Sequence, residues 1–241
     1  MKGPLVEVTG AVDLHCHPAP DLFPRLADDI EVAEHARGMG LRAVMIKCHY
    51  EPSPSRAAHA ERIVPGIRVF GGIVLNHAVG GVNPAAAEAA LQMGAREVWM
   101  PTVDARFHAE MHGGTGSYDV QRITVTHPFF KVPNLSVEEL QDLTALGAYA
   151  EFGYCTISPM WGYANPARVA DAVNAIGARH CLLVSDTGQR HNPMPAEALR
   201  VFAQSLFESG VSEEDVATMI RTNPMELLDL PAEIPEEALA T

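Results

Sequence analysis

Short apolar runs alternate with stretches of helical periodicity along almost the whole chain. Seven runs read as strands: residues 11–17, 41–49, 67–76, 95–101, 122–127, 147–153 and 180–186. Each is apolar on both faces, as expected of parallel strands covered by helices. Between them lie helix candidates at 28–38, 53–64, 84–93, 136–146, 166–176, 195–209 and 212–221, with a short final turn at 223–230. Their ends carry stop and start signals: Gly38, Gly94 and Gly177 at C-termini, Asn83 as an N-cap, and Ser136 with Glu139 as a capping box. Repeated strand, loop and Gly-stopped helix implies βα units and a parallel sheet. The expected fold is α/β, a TIM-like (β/α) barrel of about seven strands. A doubly wound open sheet is the competitor, and its nucleotide-binding form loses support because no GxGxxG or GxxxxGK[ST] follows the first strand. One connection breaks the pattern. From Thr102 to Gln121 there is no amphipathic helix, and MHGGTGSYD reads as a Gly-rich loop, an active-site lid or the place of a shortened or missing βα unit.

Composition narrows the class. The 241 residues suit one domain over 1–230, followed by an acidic, Pro-containing tail over 231–241. A net charge of −13, from 30 acidic and 17 basic residues, argues against a nucleic-acid partner, which needs clustered Lys and Arg. No apolar window approaches the ~18 residues of a membrane span, and the N-terminus lacks the apolar stretch of a signal peptide. A cytoplasmic protein acting on a small molecule is the expectation. Cys16, Cys48, Cys155 and Cys181 form no CxxC pair and read as reduced core or near-site residues.

The chemistry gathers at strand ends. The first strand closes in His15-Cys16-His17. Alternation puts His15 and His17 on one face with Asp13, and Cys16 on the other. Two imidazoles side by side can start a divalent-metal site. In βα barrels active-site groups sit at the C-terminal ends of strands, and the other strands also end in useful residues: Lys47 and His49, Asn76 and His77, Thr102, His127, Glu151, and Asp186. His15, His17, His127 and Asp186 would make a His/carboxylate site for zinc, with manganese or iron as alternatives, holding one or two ions. Asp186 is the candidate catalytic base for metal-activated water. Lys47 could be carboxylated between two metals, stay cationic for an anionic substrate, or pair with Glu151. His49 could be a ligand, a substrate contact or a plain loop residue. Asn76, His77, Thr102, Glu151 and Arg190 are candidate substrate contacts. Lys47, Arg106 and Arg190 would suit a carboxylate-bearing substrate. His35 and His59 lie on predicted helices and read as surface residues. His108 and His112 fall in the Gly-rich loop.

The HxH on the first strand, a His after a later strand and an Asp after the last one resemble the amidohydrolase superfamily of metal-dependent hydrolases. GGIVLNHAVGGVNP, EVWMPTVDA, ITVTHP, SDTGQ and NPMELLDL resemble segments of an uncharacterised amidohydrolase-like family. The resemblance implies metal ligation by His15, His17, His127 and Asp186, with Asp186 as proton shuttle. The superfamily's bridging carboxylated lysine comes from a middle strand, whereas Lys47 is on the second. The resemblance also implies a strand ending in Gly-His, then a helix, just before ITVTHP. Here the Gly-rich loop runs into Arg122-Ile123-Thr124, so one ligand and one βα unit are missing, which favours a mononuclear site. The implied activity is hydrolysis of a C–N or C–O bond in an amide, lactone or ester. A metal-dependent decarboxylase or lyase and a non-catalytic ligand-binding barrel are the alternatives. A sheet edge left open by the missing unit would favour a homo-oligomer.

Overall fold

The structure, a computed structural model, describes residues 5–104, 124–131 and 133–231. All seven expected strands are present in shortened form. β1 (Val12–Cys16), β2 (Ala43–Ile46), β3 (Arg68–Val74) and β4 (Glu97–Trp99) form one parallel sheet in that order. β5 (Thr124–Thr126), β6 (Tyr149–Gly153) and β7 (Cys181–Val184) form a second parallel sheet. The fold is therefore α/β, a curled four-stranded half-barrel beside a three-stranded sheet. Arg106, His108, His112, the Gly-rich loop and nearly all of the acidic tail lie outside the described residues.

The helices follow their sequence signals closely. They are α1 (Asp29–Gly38), α2 (Pro54–Ile63), α3 (Pro84–Gln92), α4 (Val137–Ala145), α5 (Pro166–Ile176), α6 (Pro195–Glu208), α7 (Glu213–Ala217) and α8 (Asn223–Leu227). Asn83 and Asn165 accept hydrogen bonds from first-turn amides, and Ser136 with Glu139 forms the expected capping box. A second box, which the sequence reading passed over, joins Asp28 and Glu31 at the start of α1. The stretch 212–221 does not stay one α-helix: α7 passes into a wider turn at Thr218–Thr222 before α8. No helix among the described residues is long and apolar enough to cross a membrane.

Period-two alternation sorts the strand side chains into two layers. Val12, Leu14, Ala43, Met45, Phe70, Val74, Trp99, Leu182 and Val184 form the inner cluster, closed below by Leu228 after α8. Their strand neighbours Cys16, Val44, Ile46, Val69, Ala150, Phe152 and Leu183 pack outward with α1, α5 and α6. Continuing the inner rows past the strand ends gives Lys47 and His49, Asn76 and Asp186, and Glu151 holds the inner position within β6.

β1 departs from this alternation. Asp13 pairs with Val44 and Cys16 with Ile46, so three steps on β1 span two on β2. This bulge puts His15 on the inner side directly after inward-facing Leu14. Asp13 therefore does not share a face with His15, contrary to the expectation from simple alternation. Its carboxylate accepts from the amides of His15 (3.2 Å) and Ser185 (3.0 Å), tying β1 to β7.

The two sheets meet at that seam. The amide of Asp186 donates to the His15 carbonyl and that of His17 to the Thr187 carbonyl, each at 2.8 Å. Gly188 permits the close approach: a Cβ there would lie 1.9 Å from the His17 carbonyl oxygen, at φ +145°. On the far side, β4 and β5 show no pairing with each other among the described residues, and their side chains are mostly half-buried. Gly188→Ala should therefore destabilise the protein well beyond the ~1–2 kcal/mol of a strained positive φ alone. Gly210→Ala, at φ +100° with open space around it, is the control. Thermal unfolding checks this: equal losses for the two variants would show that the seam does not need the glycine.

Candidate metal centre

Three donor atoms converge at the mouth of the seam. His15 Nε2 lies 3.1 Å from His17 Nε2. Asp186 Oδ1 lies 3.3 Å from His15 Nε2 and 3.4 Å from His17 Nε2. All three side chains are buried. The bulge and the seam bring them together, since β1 carries both histidines and the residues after β7 carry the aspartate. Asp186 holds φ +47° to reach inward, and Gly153 opposite it leaves room, since a Cβ there would stand 2.9 Å from the Asp186 Cβ. The buried Cys155 thiol donates to Asp186 Oδ2, leaving Oδ1 for the histidines.

Protonation suits this donor set to a cation. Burial pushes His15 down to about 3 and His17 down to about 4, so both imidazoles are neutral near pH 7 and keep a lone pair. Burial also works against charge on Asp186, but His15, His17 and His127 overcome it and hold that carboxyl well below its usual range. Glu151 Oε1 sits 2.7 Å from His15 Nδ1. An accepting carboxylate there places the proton on Nδ1 and frees Nε2 towards the centre, the carboxylate–histidine pairing that orients metal ligands. Ligands around a tetrahedral ion with bonds of 2.0–2.1 Å stand about 3.3 Å apart. The observed separations of 3.1, 3.3 and 3.4 Å match that spacing, so His15, His17 and Asp186 fit a divalent transition metal.

The remaining candidates form a second ring or lie away. His127 has its ring 6.4 Å from that of His15, with φ +37° and a buried Nδ1 that has no hydrogen-bond partner among the described residues. It stands outside the three-donor group. His49 stacks on His17 at 4.9 Å and turns Nδ1 to Thr102 Oγ1 (2.9 Å). Asn76 braces both loops, bonding the Thr102 hydroxyl and amide and the His49 carbonyl. Lys47 is buried with Nζ 5.0 Å from the Trp99 ring centre. Burial lowers its pKa against the pull of Glu151, Asp186 and Glu97. Glu151 is committed to His15, and burial raises it to about 7 against the pull of Lys47. His77 and Arg190 are exposed. The His77 amide donates to Asp104, and its ring does not join the donors. His59 is exposed as expected, but His35 is half-buried.

Two neighbours of the centre escaped the sequence reading. Glu97 shares the inner face of β4 with Trp99 and adds to the field around Lys47; the two-residue spacing in EVW was the available signal. Cys155 had only the ambiguous status of a near-site or core thiol.

The family of unknown function DUF6282 matches residues 10–119, just under half of the chain. No curated protein matches the sequence. Among solved structures, an apo protein of Agrobacterium tumefaciens is similar over 92% of this chain and 97% of its own, at 12% identity and TM-score 0.60. An amidohydrolase from Pseudomonas aeruginosa is similar over 91% and 95%, at 12% identity and TM-score 0.59. Enamidase, described as a member of the amidohydrolase superfamily, covers 92% of this chain with 68% of its own, at 16% identity and TM-score 0.59. Identities this low speak to the backbone alone, and on that ground the chain has the α/β fold of amidohydrolase-superfamily structures.

Proposed function

We propose that this protein is a metal-dependent hydrolase that cleaves a C–N or C–O bond of a small molecule. The observation that carries the reading is the convergence of His15 Nε2, His17 Nε2 and Asp186 Oδ1 at ligand spacing, with Glu151 orienting His15. The amidohydrolase fold supports it. His15, His17 and Asp186 would hold the ion, zinc first by the N/N/O donor set, with manganese or iron as alternatives, and one ion per chain from the single donor group among the described residues. A divalent ion there supplies Lewis acidity, making a water acidic near pH 7 and polarising the carbonyl to be attacked. Asp186 keeps its negative charge and is the base that takes the water's proton and returns it to the leaving nitrogen or oxygen. His127, whose buried Nδ1 has no partner among the described residues, would hydrogen-bond the substrate oxygen. Burial pushes it down to about 4, so it stays uncharged near pH 7. Asn76 and Thr102 set the position of His49, whose ring closes one side of His17.

The proposal extends to the whole unit. Residues 1–230 act as one domain, a seven-strand barrel short of one βα unit between β4 and β5. The bridge between Cys16 of β1 and Thr187 just after β7, and the β4 and β5 edges that pair with nothing further among the described residues, support this, and such edges favour a homo-oligomer. Four free, buried cysteines suit a reducing compartment such as the cytoplasm.

Elemental analysis of the purified chain tests the core of this reading. About one zinc-type ion per chain is expected, directly or after uptake from Zn²⁺ or Mn²⁺. A folded protein that binds neither metal would remove the hydrolase reading. His15→Ala combined with His17→Ala should abolish metal uptake, and unchanged metal content would refute the ligand assignment. Glu151→Gln keeps a hydrogen-bond acceptor but loses the charge behind His15, so metal affinity should fall about 10–100-fold. An unaltered affinity by competition with a chromogenic chelator would deny Glu151 that orienting role.

A further inference from the structure

We propose that Phe130, Trp161 and Tyr163 form a subsite for a planar aromatic ring of the substrate, beside the metal centre on its β5–β6 side. The substrate identity rests on the hydrolase reading; the ring subsite does not.

The three side chains come from the loops that follow β5 and β6, the rim that also carries His127. Their rings form a continuous path away from the centre. His127 lies 6.4 Å from His15, Phe130 lies 4.7 Å from His127, and Tyr163 and Trp161 lie 4.5 Å and 5.9 Å from Phe130. Trp161 and Tyr163 are nearly parallel, at 20° and 6.0 Å. Mutual tilts and separations of this kind are favoured by ring quadrupoles.

These rings are not core. Phe129, one residue earlier, is 1% exposed and belongs to the helix-side core, whereas Phe130, Trp161 and Tyr163 belong to none of the hydrophobic clusters. Trp161 is 38% exposed and Met160 beside it 48%. The loop that carries them is nonetheless held in place. Ser158 is buried and donates to Asn192 Oδ1 in the segment after β7 (2.8 Å). The amides of Trp161 and Gly162 return to the Ser158 carbonyl, and those of Tyr163 and Ala164 to the Thr156 carbonyl. The Phe130 amide returns to His127. An aromatic face fixed in advance binds a ring with little ordering cost.

The occupant is small. Two half-buried side chains and one exposed one fall far short of the ~1,000 Å² that a stable protein interface needs. Ring contact with His127 makes the patch continuous with the metal centre, so a molecule whose reacting bond lies at the centre can lay an attached ring on the platform. The apolar lining selects for the π-face of that ring.

Matched probes test the subsite. Benzoate and cyclohexanecarboxylate carry the same charge and nearly the same size, and only one has an aromatic face. They are titrated into the full chain, metal-loaded and chelator-treated, with metal content measured on the same samples. Benzoate should bind at least about fivefold more tightly, within what aromatic contacts contribute. Saturation-transfer and NOE spectra should connect its ring to the Trp161 indole, one of only two indoles in the chain, and not to Trp99. Equal binding of the two probes, or ring contacts at Trp99 alone, overturns the proposal without needing a variant. Phe130→Leu and Trp161→Leu should bring the preference to within about twofold while leaving metal content unchanged, and a preference that persists in both folded variants also overturns it. A chain that binds no metal yet prefers benzoate through Trp161 retains the subsite and loses the hydrolase reading. A chain that binds metal but shows no preference loses only the subsite.

Discussion

The seam between β1 and β7 decides the rest of the site. Its backbone bonds run from Asp186 to His15 and from His17 to Thr187, so the residues that pair the strands are also the ones whose side chains meet. The Asp13 carboxylate reinforces it from the outer side by accepting the amides of His15 and Ser185. A bulge at this point turns both histidines inward, and Gly188 lets the two backbones close. Metal-ligand geometry tolerates errors of only a few tenths of an ångström. Placing the donors beside main-chain hydrogen bonds is how a fold meets that tolerance.

Burial then sets the charges. Removing imidazoles from water favours their neutral form, which is also the ligating form. Removing Asp186 from water would favour its neutral form too, but three imidazoles and the Cys155 thiol stand around it. Neutral histidines around a charged carboxylate leave a lone-pair-rich pocket that could hold a divalent cation. Two residues beyond the donors bond them directly, Glu151 to His15 and Cys155 to Asp186, while Asn76 and Thr102 hold His49, whose ring stacks on His17.

Much of the fold was legible because its signals are local. Apolar runs on both faces marked the seven strands, and Ser136 and Asn83 marked helix starts to within a residue. The inward row of β2 was legible too, since Lys47 and His49 continue the alternation of Ala43 and Met45. Asp13 was misplaced because a bulge depends on the partner strand's register, and a single strand's pattern does not contain it. The same limit applies to His77 and His127. Both follow a strand closely in sequence, but backbone turns after the strand leave one exposed and bring the other to the centre.

The sequence by itself determined the βα repeat, the strand-end histidines and the carboxylates available to them. These follow from hydrophobic period and residue chemistry, which act over a few neighbours. Only the tertiary structure decided that His15, His17 and Asp186 form one donor group, that Glu151 hydrogen-bonds His15, and that Phe130 meets Trp161 and Tyr163 at the rim. Those contacts join residues far apart in the chain. They depend on which strands become neighbours and in what register, and that is settled by packing the whole sheet against its helices.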